Sequence, residues 1–208
     1  MTIRIRPTAL IEDNVAIGSG TVIRDHVYIR HSTRIGEQCI IGEKTYIAYN
    51  VRIGNRVKIN TMVYICMSVT IEDGVMVHTG TIFTNDWLLR ATTPDLQQLR
   101  TAEPNEHTSP TLVREGATIG AGSIIGSDLV IGRFAMVGMG SLVTRSVPDF
   151  HLAIGHPAVS VGCVCRCGQL LLRFTAPAST GRQEMACGAC SLRYMLNDRV
   201  VTELVPPG

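Results

Sequence analysis

An aliphatic residue recurs at every sixth position from residue 5: Ile5, Ile11, Ile17, Ile23, Ile29, Ile35, Ile41, Ile47, Ile53, Ile59, Ile65, Ile71 and Val77, with no slip in register. The register returns at Val113, Ile119, Ile125, Ile131, Val137 and Val143. The 30 residues from Phe83 to Val113 are a whole number of hexads, so the phase survives the interruption. A period of six fits neither one face of a helix nor the alternation of an ordinary strand. It fits short strands that turn every six residues, three of them closing a triangular coil. Such coils stack as a solenoid in which each repeat contacts its neighbours. The aliphatic residue points to the axis. The residue four further on is mostly small or β-branched, as at Thr21, Val27, Thr33 and Cys39, and suits a crowded corner. Gly directly follows the aliphatic residue at 18, 36, 42, 54, 120, 126, 132 and 138, where backbone is expected to lie close to backbone. The chain should form about six coils.

Composition agrees with this geometry. Aromatic residues are 5% of the 208, although hydrophobic residues are 45%, because a narrow triangular lumen has little room for rings. A net charge of +2 with no basic stripe argues against a nucleic-acid partner. No run approaches the ~20 apolar residues that cross a bilayer, so no membrane insertion is expected. The stretch Met1–Leu10 lacks the apolar segment of a secretory signal, and a cytoplasmic protein is the expectation.

Residues 84–112 carry no hexads and hold Pro94, Pro104 and Pro110. A segment of that length inside a solenoid is usually functional, and it reads as an excursion that leaves the stack and returns. Five of the seven cysteines crowd the end of the chain: Cys163, Cys165, Cys167, Cys187 and Cys190. Cys165-x-Cys167 and Cys187-x-x-Cys190 form two thiolate knuckles suited to structural zinc, with Cys163 a competing ligand. Runs at 170–174, 191–196 and 200–205 supply the strands of a zinc-ribbon-like segment too short to fold well unaided. The expected division is a coil domain at 1–160 and a tail at 161–208. His26 and His31 are five apart, but no third histidine lies at coil spacing, so they read as solvated residues rather than a zinc site.

The in-phase hexads, the excursion, the stretch Val143-Thr144-Arg145-Ser146-Val147-Pro148 and the closing Gly155-His156-Pro157-Ala158 resemble the bacterial transferase hexapeptide family. The resemblance implies an all-β fold, a left-handed parallel β-helix of hexapeptide repeats with a protruding loop. It narrows toward the nucleotide-sugar 3-amine N-acetyltransferases through Asn55-Arg56-Val57-Lys58-Ile59, Ile71-Glu72-Asp73-Gly74-Val75, Phe83-Thr84-Asn85-Asp86 and residues 110–120. Some members also carry a Cys-x-Cys-Gly segment like Cys165–Gly168. Two positions depart from the pattern. His78-Thr79 stands where relatives show Gly-Pro, and Arg24-Asp25-His26 replaces a Trp-His-Phe-like stretch.

The resemblance implies an acetyl-CoA-dependent transfer to the amine of a UDP- or dTDP-linked amino sugar, in a homotrimer whose sites lie between subunits beside the excursion. Acyl transfer needs a neutral amine held near the thioester carbonyl and a destination for its proton. His78, just after the last hexad before the excursion, is the best base by chain position, with Asn60 expected one coil beneath it. The departing thiolate is the alternative acceptor. Asn85 and Asp86 open the excursion and suit substrate orientation, and Arg90 suits a phosphate. Gly120, Ser123, Gly138 and Ser141 lie where family members meet the pantetheine arm, and Arg145, His156 and Pro157 suit the adenosine-phosphate end. A sugar O-acetyltransferase, or a non-catalytic scaffold that uses the tail to bind a partner, are the alternatives.

Overall fold

The computed structural model describes residues 2–85, 90–101, 108–174 and 181–204. Among these residues every regular element is a strand. Twenty strands of two or three residues, from Arg4–Ile5 to Leu142–Val143, run round a triangle and build three parallel sheets. Pairing is in step at 18 residues: Arg4 faces Val22, Tyr28 faces Tyr46, and Arg34 faces Arg52. The stack makes seven complete turns and begins an eighth at His151–Gly155, more than the hexad count alone suggested. Across the excursion the pairing step widens, as in Met76 facing Thr118 and Ile82 facing Ile124, while the register holds. The coil resumes in the strand Thr111–Val113, so Thr111 and Leu112 belong to the stack and not to the excursion.

The inward aliphatic residues fill the axis, from Ile23 through Ile71 and on to Val143, nearly all of them inaccessible. Ile5 is 47% exposed because the first coil has a neighbour on one side only. Small polar residues at the corners are buried as well, and their hydroxyls are satisfied. Thr21 donates to the Gly36 carbonyl (2.8 Å), Thr33 to Ala48 (2.8 Å) and Thr45 to Asn60 (3.0 Å). The Cys39 thiol takes the same role toward Gly54 at 3.1 Å. A buried hydroxyl without such a partner would be costly. Hexad glycines serve close approach: a Cβ on Gly42 would sit 2.5 Å from the Asn60 carbonyl carbon.

After the coil the chain doubles back. Ala158–Val164 pairs antiparallel with His151–Gly155, and Leu170–Arg173 extends the same ten-stranded sheet. A three-stranded antiparallel sheet follows: Arg182–Ala186, Arg193–Asn197 and Val200–Glu203. The first of these strands was not expected from the sequence. A second, small core of Phe150, Cys163, Cys165, Met185, Cys187, Tyr194, Leu196 and Val201 joins this tail to the end of the coil.

Candidate active site and cysteine cluster

The corner between the first and second faces carries one column of residues. The Asn60 amide bonds to the Val77 carbonyl and the His78 amide to the Ile119 carbonyl, which stacks Asn60, His78, Gly120 and Gly138 in successive coils. His78 is half-buried, and its own carbonyl accepts the Thr81 hydroxyl at 2.8 Å. Above it the column continues in Gly120, which is buried, and in Gly138, where a Cβ would meet the Ile154 side chain at 3.0 Å. A Cβ at Gly120 would lie 2.6 Å from the Met139 amide nitrogen.

Ser123 and Ser141 are buried corner residues. The Ser123 hydroxyl donates to the Gly138 carbonyl (3.1 Å), and the Ser141 hydroxyl accepts the Gly155 amide (3.3 Å). Both hydroxyls serve the coil's own backbone.

Asn85 is half-buried at the next corner, just after Phe83 and Thr84, whose amide bonds to Ile125. It is therefore separated from His78 by a whole face of the same coil. A single chain does not bring the two together. The Cys66 thiol lies under this exit point and donates to the Phe83 carbonyl at 2.9 Å, and burial pushes it up to about 11. Asp86 lies outside the described residues. Arg90 is exposed at the far side of that gap, and a turn follows in which Thr92 bridges Leu99.

Arg145 is exposed beside a cavity of about 630 Å³ at the end of the coil. His156 and Pro157 form the exposed tip of the hairpin joining His151–Gly155 to Ala158–Val164. The same cavity is lined by His151 and Ser160 and, from the tail, by Asp198 and Arg199. Sequence reasoning missed these groups. A lone histidine carries no motif, and nothing in the stretch between the strand-like runs 191–196 and 200–205 singled out Asp198 or Arg199.

His26 and His31 hold no metal-like arrangement. His26 is a corner residue in the left-handed region (φ 57°), and the His31 ring stacks on Tyr49 at 5.1 Å.

At the tail, the sulfur atoms of Cys165, Cys167, Cys187 and Cys190 all lie within 4.8 Å of one another. Cys165 and Cys190 approach to 3.4 Å, and Cys167 and Cys187 to 3.5 Å. Tetrahedral zinc with Zn–S of about 2.3 Å places its thiolates roughly 3.8 Å apart, so the set fits a metal closely. Without one the thiols diverge. Burial pushes Cys165 up to about 12, while the Ala189 amide, then that of Cys190, pull Cys187 down to about 6. Cys163 stands outside the four. It is buried beside them, and burial raises its thiol to about 11.

The chain matches no family model. A stretch of 95 residues is 40% identical to a dTDP-3-amino-3,6-dideoxy-alpha-D-galactopyranose 3-N-acetyltransferase of Aneurinibacillus thermoaerophilus, covering 46% of this chain and 45% of that protein. The chain thus matches about half the length of that curated relative. Among solved structures it resembles AntD, an N-acyltransferase from Bacillus cereus, in complex with dTDP and 3-hydroxybutyryl-CoA. The TM-score is 0.53 at 22% identity, over 79% of this chain and 81% of that one. A variant of the same enzyme with dTDP and coenzyme A gives 0.52 at 22% identity, over 79% and 82%. The shared fold is the left-handed parallel β-helix, and these findings fit the hexapeptide acetyltransferase family.

Proposed function

We propose that this protein is an acyl-CoA-dependent N-acetyltransferase acting on the amine of a nucleotide-linked amino sugar, in the synthesis of a surface glycan. The 95-residue match to a dTDP-amino-sugar 3-N-acetyltransferase is the observation that carries this reading. The geometry supports it. A half-buried histidine and an asparagine stand in one column with Gly120 and Gly138 of the later coils. A uridine or thymidine diphosphate carrier both agree with the reading.

In the reaction the neutral amine attacks the thioester carbonyl. An N–C bond forms, the C–S bond breaks, and the amine's proton passes to His78 or to the departing thiolate. Positioning supplies much of the acceleration, and a base adds about 10²–10⁴-fold. Because His78 and Asn85 lie at different corners, the site is completed between copies in a homotrimer. An outward column of Leu10, Tyr28, Tyr46, Tyr64 and Ile82 offers apolar surface for that contact, with Leu10 64% and Tyr64 44% exposed. A cytoplasmic location suits an acyl-CoA donor and seven cysteines that are all free. At the tail we assign one structural zinc to Cys165, Cys167, Cys187 and Cys190.

Calorimetry with acetyl-CoA, followed by thiol release on mixing with UDP- and dTDP-3-amino sugars, tests the reading. Binding and thiol release are expected, and no binding at millimolar acetyl-CoA overturns it. Release with hydroxyl acceptors alone would move the protein to sugar O-acetylation. His78→Ala should lower kcat by about 10²–10⁴-fold with CoA binding retained. An unchanged kcat removes His78 as the base and leaves the proton to the thiolate.

A further inference from the structure

The third face of the coil is the sheet that contains Arg34–Ile35, Arg52–Ile53 and Val69–Ile71. Its outward column differs from the apolar one described above. Arg34 faces Arg52 and Arg52 faces Thr70, all three on the outer side of successive coils. Neighbouring strands lie about 4.8 Å apart, so two positive charges stand directly opposite each other, an arrangement that costs stability when no anion lies between them. Both arginines are exposed, and among the described residues neither joins an ion pair. Thr70 is half-buried, and its hydroxyl makes no hydrogen bond to the described residues. Two guanidiniums and a hydroxyl are thus set side by side with their donors unused.

This column is one side of a groove of about 650 Å³ that reaches the corner between the third and first faces. The groove lies away from His78 and Asn85, which occupy the other two corners. Its remaining charged groups are engaged, with one exception. Arg56 pairs with Asp73 at 3.1 Å, and Asp73 also accepts the Asn55 amide at 2.8 Å. Glu72 accepts the Glu115 amide at 2.9 Å and pairs with Arg114 at 3.7 Å. The exception is the Glu115 carboxylate, which is exposed and joins no ion pair among the described residues. Glu115 belongs to the second coil beyond Arg52, roughly 10 Å away along the axis. That exceeds the Debye length of about 8 Å at physiological salt, so Glu115 opposes an anion at the arginines only weakly.

We infer that this groove binds the phosphate monoester of a sugar, with Arg34, Arg52 and Thr70 on the phosphate and Glu115 on the sugar hydroxyls. A phosphate dianion offers several oxygens to two adjacent guanidinium forks and a hydroxyl at once, and it relieves the repulsion between the arginines. The groove is too large for phosphate alone, and its volume falls in the range of small-molecule sites, roughly 300–1,000 Å³. At the end away from the arginines it presents a carboxylate, an acceptor suited to hydroxyl groups. This site stands apart from the acyl-transfer reading and does not depend on it.

The test is titration calorimetry of the zinc-loaded full chain with glucose 6-phosphate, inorganic phosphate and glucose as probes. The variants are Arg34→Gln, Arg52→Gln, Arg52→Lys and Glu115→Ala. All three positions lie on the outside of the coil, so the variants should melt with the parent, which thermal melting checks. Glucose 6-phosphate should bind the parent, and loss of one charge-assisted contact should weaken that binding about tenfold in each glutamine variant. Arg52→Lys should recover part of the loss, because it keeps the charge without the fork. Glu115→Ala should weaken glucose 6-phosphate and leave inorganic phosphate unchanged. If the parent takes up no glucose 6-phosphate, or if both glutamine variants bind it as tightly as the parent, the inference is overturned. Inorganic phosphate binding as tightly as glucose 6-phosphate would overturn the role of the sugar, and glucose binding as tightly would overturn the role of the phosphate.

Discussion

The coil and the tail solve the same problem in opposite ways. In the coil, burial is distributed: one aliphatic residue per hexad enters the axis, each corner satisfies its own hydroxyl, and every strand pairs with the coils beside it. Stability of this kind is close to a sum of repeat and interface terms, so no single site decides it. In the tail, a small core of seven buried side chains packed on Phe150 of the coil end, with three short strands, must hold a segment that is otherwise exposed. Four sulfur atoms within 4.8 Å of one another mark where that shortfall is met. A local defect should therefore leave most of the coil standing but dismantle the tail.

Removing the metal should sharpen that contrast most. Structural zinc contributes on the order of 10 kcal/mol to small thiolate-bound domains. Chelation, or Cys187→Ser, should abolish hydrogen-exchange protection across 182–203 and leave the coil strands protected. Metal analysis of the parent should find about one zinc per chain. A metal-free chain whose tail stays protected would show that its small core suffices and would erase the distinction.

Within the coil, two glycines separate steric from conformational demands. A Cβ on Gly54 would lie 2.4 Å from Asp73 Oδ1 and 2.8 Å from its amide. That oxygen accepts the Asn55 amide at 2.8 Å, and the other carboxylate oxygen pairs with Arg56 at 3.1 Å. Gly54→Ala must therefore push two coils apart, at about 1–3 kcal/mol. Gly122 has φ +67° and open space around the position of a Cβ. Gly122→Ala should cost only the left-handed backbone strain, roughly 1 kcal/mol. Denaturant titration of both variants checks the order, and equal losses would remove close approach as the reason for the hexad glycines.

The hexad register made the coil legible because every inward residue answers to one spacing, and even the excursion keeps phase. The corners were less so. Twelve successive turns, from Asn14 to Gly80, place a left-handed residue three positions after the aliphatic one, and apart from Gly20, Gly74 and Gly80 they use Asn14, His26, Lys44, Met62 and other types. No composition rule marks a position filled by so many residue types, since the neighbouring coils impose the conformation. The cysteine cluster was legible from spacing alone, although geometry was needed to leave Cys163 out. Asn60 beneath His78 followed from counting. The distance between His78 and Asn85 did not, because a one-dimensional repeat does not say which corner faces a neighbouring copy. His151 and Arg199, 48 residues apart, meet only through the tail's return.

That return suggests the smallest of the expected effects. His151 is buried, and its pKa is lowered from the usual 6.5 chiefly by that burial and further by the nearby Arg199 charge, against the opposing pull of the Arg199 carbonyl and of Asp149. The unfolded chain then binds more protons than the folded one as pH falls below about 6.5. The stabilisation from neutral His151 is fully present above that value and is lost as pH falls toward the depressed folded pKa. The charged ring would also lose its acceptor bond from Ser160, since both nitrogens would then be donors. Acid should loosen the tail before the coil. Thiolate protonation would act in the same direction, so the informative quantity is a difference. In zinc-loaded protein, hydrogen exchange at 193–203 should rise more steeply on acidification in the parent than in His151→Gln, which keeps a donor for the Arg199 carbonyl but does not titrate. Identical slopes would mean that the tail's acid sensitivity belongs to its metal alone.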